Sequence, residues 1–194
     1  MKKFKRLNRK GFTLIELLAV IVILAVVMGI AANSVLSSMN KSRMGSMSDS
    51  AIVVARGLDQ KFLEAQVGGT VSSVSVGGKV YNFSKTNMYY LHTDSLKEFN
   101  LKTSDYVGDT ANSISPVDLT NNVTGVNKSF VVFNGTKSSF IVCLVANKSG
   151  SLFVDGMKVT NGKLAKADSG LTVDILFDTT DGVMFACSNG TKSK

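Results

Sequence analysis

The sequence predicts an α+β chain: a long N-terminal helix, with an apolar half and an amphipathic half, packed on an antiparallel β-sheet head. Three observations predict it. Phe12 to Ala32 is a run of 21 residues with a single charge, Glu16. Met47, Ala51, Val54, Ala55, Leu58, Phe62 and Ala65 then recur at three- and four-residue steps, which puts an apolar stripe on one helix face. From Thr70 onward, short β-prone runs alternate with Gly-Gly, Asn-Gly and Asp-Gly pairs, the signature of tight hairpins.

The apolar run is justified first. At about 1.5 Å rise per residue it spans roughly 30 Å as a helix, enough for a bilayer core. Lys2, Lys3, Lys5, Arg6, Arg9 and Lys10 stand immediately before it. By the positive-inside bias, residues 1–11 stay cytoplasmic and the rest of the chain crosses outward. The same cluster explains the formal net charge of +8. Removing these 6 positive charges leaves +2 (8 − 6), so the main body is close to neutral. No basic stripe remains to neutralise phosphates, which argues against direct nucleic-acid binding.

Three readings compete for this terminus. It is a secretory signal cut near Ala31-Ala32, a plain signal anchor, or the leader of a subunit that polymerises. Glu16 discriminates. A carboxylate at the centre of a membrane helix costs about 2.5–3.5 kcal/mol, and less near an end. A signal core or simple anchor has no use for that cost. A filament subunit does, because the carboxylate can pair with a neighbour's N-terminal amine.

The run Gly11-Phe12-Thr13-Leu14-Ile15-Glu16-Leu17-Leu18 resembles the type III signal of type IV pilins and pseudopilins. The resemblance covers about residues 1–60 and beyond that is only architectural. It implies the type IV pilin fold, cleavage by prepilin peptidase between Gly11 and Phe12, N-methylation of Phe12, and a role for Glu16 in subunit assembly. It implies as partners the membrane before assembly, the pilus assembly platform, and other copies of itself and other pilins in a helical polymer. The chain would be a single-pass protein of the cytoplasmic membrane, and afterwards an extracellular filament for adhesion and twitching motility. The alternatives are a minor pilin or pseudopilin of a secretion or competence system, and a membrane-anchored binding domain that never polymerises. The low-proline, Lys/Asn/Ser-rich composition resembles that of clostridial and other Gram-positive pilins. One departure stands out. Many pilins carry a proline near the end of the apolar run, where this chain has Ala31-Ala32-Asn33.

The organisation expected is a basic leader over 1–11, an apolar half-helix over 12–33, an amphipathic half-helix over 34–67 and a β-rich head over 68–194. Gly68-Gly69 ends the helix. One helix from Phe12 to Val67 would be roughly 80 Å long. In the head, hairpins are expected around Gly77-Gly78, Asn134-Gly135, Asp155-Gly156 and Asp181-Gly182. Thr93–Phe99 reads as a short helix with Ser95 and Glu98 in a capping box. Residues 103–128 read as a polar surface loop.

Cys143 and Cys187 fall in two expected strands, and an even number in an exported domain predicts one disulfide; two separate buried thiols is the other reading. No catalytic constellation, cofactor motif or metal spacing is found, so an enzyme is not expected. His92 is the one imidazole and reads as a solvated loop residue. Asp174, Asp178 and Asp181 read as turn and strand-end chemistry rather than a calcium loop.

Overall fold

The computed structural model describes residues 13–69, 72–84, 87–117, 123–135, 139–154, 162–165, 172–177 and 184–188. They form two compact units, Met1–Lys41 and Ser42–Lys194. A single helix, α1 (Leu14–Val67, 54 residues), contributes to both. It ends where expected. Gly68 and Gly69 donate their N–H groups to the carbonyls of Glu64 and Gln66, and Gly69 takes a φ of +82° that favours glycine.

In the second unit, α1 buries Met47, Ala51, Val54, Ala55, Leu58 and Phe62 of the stripe read from the sequence, together with Ile52, while Ala65, its last member, is half-buried against the core. Arg56, Gln60 and Glu64 are exposed on the other side. Phe62 is the anchor. Its ring lies 5.1 Å from that of Phe133, 5.6 Å from Phe140 and 6.4 Å from Phe83, in tilted and edge-on arrangements that aromatic quadrupoles favour.

These rings belong to a hairpin and a four-stranded sheet. The hairpin pairs β1 (Ser73–Val76) with β2 (Lys79–Asn82) around Gly77 and Gly78, whose φ angles of +59° and +69° suit a tight two-residue turn. Gly77 also lies against the next helix: a Cβ there would sit 2.4 Å from the carbonyl carbon of Asp94. The sheet has the order β3-β5-β6-β9, all antiparallel: β3 (Asn87–Tyr90), β5 (Phe130–Asn134), β6 (Ser139–Val145) and β9 (Phe185–Ser188). Residues alternate between its faces. Val131, Phe133, Phe140, Val142 and Leu144 join the helix side. Phe130, Val132, Cys143 and Val145 join a second cluster with Met88, Val123 and Val126. Both faces are therefore covered, which explains the near-continuous apolar runs of β5 and β6.

The second cluster includes β4 (Val123–Val126), which pairs parallel with β8 (Thr172–Phe177); β8 also pairs antiparallel with β7 (Gly162–Ala165). This corrects the hairpin expected around Asp181-Gly182, because its two arms lie in different sheets. Asp-Gly permits a turn but does not choose a strand's partner. Phe185 and Cys187 pack on the second cluster while Ala186 packs on the first, and that two-sided demand is met beside β6. The hairpin around Asp155-Gly156 falls on 155–160, outside the described residues. Its first arm is no strand: Ser151 and Leu152 are in a turn, and Asp105 accepts hydrogen bonds from the N–H and Oγ of Ser151.

The expectation for residues 103–128 is also corrected. Tyr106 and Asp109 are buried, Tyr106, Asp109 and Val117 make single β-bridges, and β4 falls inside the range. These anchors stand alone, so no periodicity announces them.

The short helix α2 (Thr93–Glu98) forms as expected, but its cap differs. His92 is buried and its Nδ1 accepts the Asp94 N–H at 3.1 Å. Ser95 instead donates to the Val76 carbonyl at 2.8 Å and shares a 2.7 Å hydrogen bond with Tyr81. The Tyr81 oxygen accepts the His92 N–H at 3.0 Å. His92 is thus a structural cap at the edge of the core rather than a solvated loop residue.

Candidate functional site

Gly11 and Phe12 lie outside the described residues. The site is visible from Thr13 onward. Thr13 precedes the first helical residue, and its N–H and Oγ1 donate to Glu16 Oε2 at 2.8 and 2.9 Å. The Glu16 N–H returns a bond to Thr13 Oγ1 at 3.3 Å. This is a reciprocal capping box, satisfying two N–H groups that a helix start leaves open. It also holds a carboxylate at the positive end of the helix dipole. Thr13 was in the sequence motif, but its role was missed; the signal was the T-x-x-E spacing.

The surface following that cap is apolar and open. From Leu14 to Ile30 the large apolar side chains are 49–83% exposed, which leaves no doubt that this unit does not bury them. The helix is long and apolar enough, near the N-terminus, to cross a membrane. Such a surface is stable in lipid or against other apolar helices, not in water. Glu16 is the one ionisable side chain on it before Lys41.

The second unit is fastened internally by polar clasps on α1. Glu98 of α2 pairs with Lys61 Nζ and accepts the Gly77 N–H, so one carboxylate joins α1, α2 and the β1–β2 turn. Lys61 and the Gly77 N–H together hold its carboxyl below the usual glutamate value. Arg43 Nη1 donates to the Phe153 carbonyl at 3.2 Å, and Tyr106 Oη donates to Ser50 Oγ at 2.9 Å. Away from α1, Lys128 pairs with Asp109 at 2.8 Å.

Cys143 and Cys187 face each other across β6 and β9 and are joined by a disulfide. The bridge closes a sequence separation of 44 and ties the last described strand into the sheet. Closing a loop of that size stabilises by roughly 4 kcal/mol in the chain-entropy account.

Among the described residues no group of three or more His, Cys, Asp or Glu side chains is placed to hold a metal ion. Asp178 and Asp181 lie outside the described residues, as does the side chain of Asp174.

The model of the prokaryotic N-terminal methylation motif matches residues 6–32, the segment that carries Gly11, Phe12 and Glu16. No curated protein and no solved structure matches the chain. A capped helix start with one carboxylate, an exposed apolar helix and a matching motif agree: residues 6–32 carry the type IV prepilin signal, on a chain with the α+β layout of the type IV pilin fold.

Proposed function

We propose that this chain is a structural subunit of a type IV pilus. It is cut after Gly11 by prepilin peptidase, N-methylated at Phe12, and polymerised through its apolar half-helix into a surface filament for adhesion and twitching motility. In this reading residues 1–11 are the leader and 12–33 form the filament core. Residues 34–67 carry the head, 68–194, whose Cys143–Cys187 bridge resists unzipping. The subunit waits in the cytoplasmic membrane, where the assembly platform collects it.

One observation carries the reading: a single carboxylate, Glu16, at the capped start of a helix whose apolar side chains stay exposed. In lipid that charge is a cost. In a filament it meets the amine that cleavage creates on Phe12 of an adjacent subunit. The pair offsets much of the desolvation and fixes the register of helices that would otherwise slide.

Intact-mass spectrometry of surface protein tests the processing step. The expected mass begins at N-methyl-Phe12, and Gly11→Val should leave the leader in place, because a branched side chain replaces the hydrogen at the cut. Surface protein that still carries residues 1–11 would overturn it.

A further inference from the structure

We propose that the Cys143–Cys187 bridge is made and broken through Cys187 alone, by thiol–disulfide exchange at the β9 edge of the sheet, with Cys143 as the resolving thiol. The proposal goes beyond assembly and rests on that reading in one point, that export carries the head to where an oxidant is met.

The two cysteines are unequally placed. β6 lies inside the four-stranded sheet, between β5 and β9, and β9 is the outer strand on that side among the described residues. Cys143 is fully buried, whereas Cys187 is only partly buried against the same apolar cluster. Exchange is a displacement at sulfur, and the incoming thiolate must line up with the bond that breaks. The two residues stand directly opposite each other across β6 and β9, so that bond runs from strand to strand. In-line attack on the Cys143 sulfur would come from the β5 side. There Phe130 stands opposite Cys143 and is itself fully buried. In-line attack on the Cys187 sulfur comes from beyond β9 instead.

Formation then has one order. The Cys187 thiolate attacks a disulfide-bearing oxidant, forms a mixed disulfide and releases one thiolate of the oxidant. Cys143 gives up its proton, attacks the Cys187 sulfur and expels the second thiolate outward. Two cysteine thiols are oxidised to one disulfide, and the oxidant is reduced to two thiols that take up the two protons. Reduction runs the same path backward: an external thiolate enters at Cys187 and Cys143 leaves. It leaves as an anion among Met88, Val126, Phe130 and Val132, surroundings that disfavour its charge. The bridge is therefore slow to reopen once β9 is in place.

The test uses the full chain in detergent micelles, so it does not depend on filament formation. Cys143→Ala and Cys187→Ala each leave one thiol. Both are incubated with oxidised glutathione below their measured melting temperatures, and the glutathione adduct is followed by mass. Cys187 should react at least about tenfold faster than Cys143, because the buried thiol must wait for the sheet to open. A second measurement covers loss of folding in either variant. Wild-type chain is reduced with a phosphine, oxidised with glutathione disulfide, quenched in acid at intervals and mapped by peptide mass. The transient adduct should sit on Cys187. Equal rates in the two folded variants, no adduct on either below melting, or wild-type adducts on Cys143 or on both cysteines would each overturn the proposal; adducts on both would mean that the bridge forms before the sheet closes.

Discussion

Glu98 shows what one side chain does in the head. Its carboxylate binds Lys61 on α1 and the backbone of Gly77, so three elements meet on two oxygens. Both partners favour the charged form and lower its pKa in the folded chain. The sign follows from linkage. A carboxyl whose folded pKa is depressed contributes stability that is fully present above the unfolded value, 4.5, and is lost as pH falls through the folded one. The wild-type melting temperature should therefore drop between pH 6 and pH 3, and Glu98→Gln should flatten part of that drop. Thermal melts of both proteins across that range check it; parallel curves would contradict the clasp. The pair is about one-third exposed, so the effect is modest. Little of this was legible beforehand. Glu98 was read as a cap for its own helix from the S-x-x-E spacing, but the N-cap position is held by His92, and Glu98 turns outward to its neighbours. Spacing identifies a candidate cap; tertiary contacts decide whether the side chain is spent there.

At the scale of elements, the amphipathic half of α1 was legible because burial on one face leaves a period in the sequence. Phe62 and Leu63 are adjacent, yet one is 4% exposed and the other 60%. Phe62→Ala should cost about 3–5 kcal/mol, since it empties a ring-sized space among Phe83, Phe133 and Phe140. Leu63→Ala should change the stability of the subunit by no more than about 0.5 kcal/mol. Chemical denaturation of the two variants measures the contrast, and equal losses would contradict the packing. The turn at Gly77-Gly78 was legible for a similar reason: the backbone there takes positive φ, which glycine tolerates. Strand partnership was not. β8 and β9 are neighbours in sequence but join different sheets, and the parallel pairing of β4 with β8 spans about fifty residues with no local mark. Non-local pairing is decided by which faces must be buried, and a period of two does not say against what.

For the whole molecule, the chain combines a head that buries its own core with a helix that leaves its apolar surface open. The candidate assembly site was legible at the level of residue types: Gly11, Phe12 and Glu16 stand at fixed spacing before an apolar run, and the methylation motif matches that same segment. In the function proposed above, the open helix polymerises and Glu16 sets its register. Glu16→Val tests it most directly, in cells with no other copy of the protein. The variant should insert, be cut and fold its head normally, because the change removes only a charge from an apolar surface. The measurement is the amount of this protein in the filament fraction sheared from cells, relative to total cellular protein. That fraction should fall about tenfold or more, since the neighbouring amine would be left desolvated without its partner; a wild-type yield of sheared filaments would rule out the pairing.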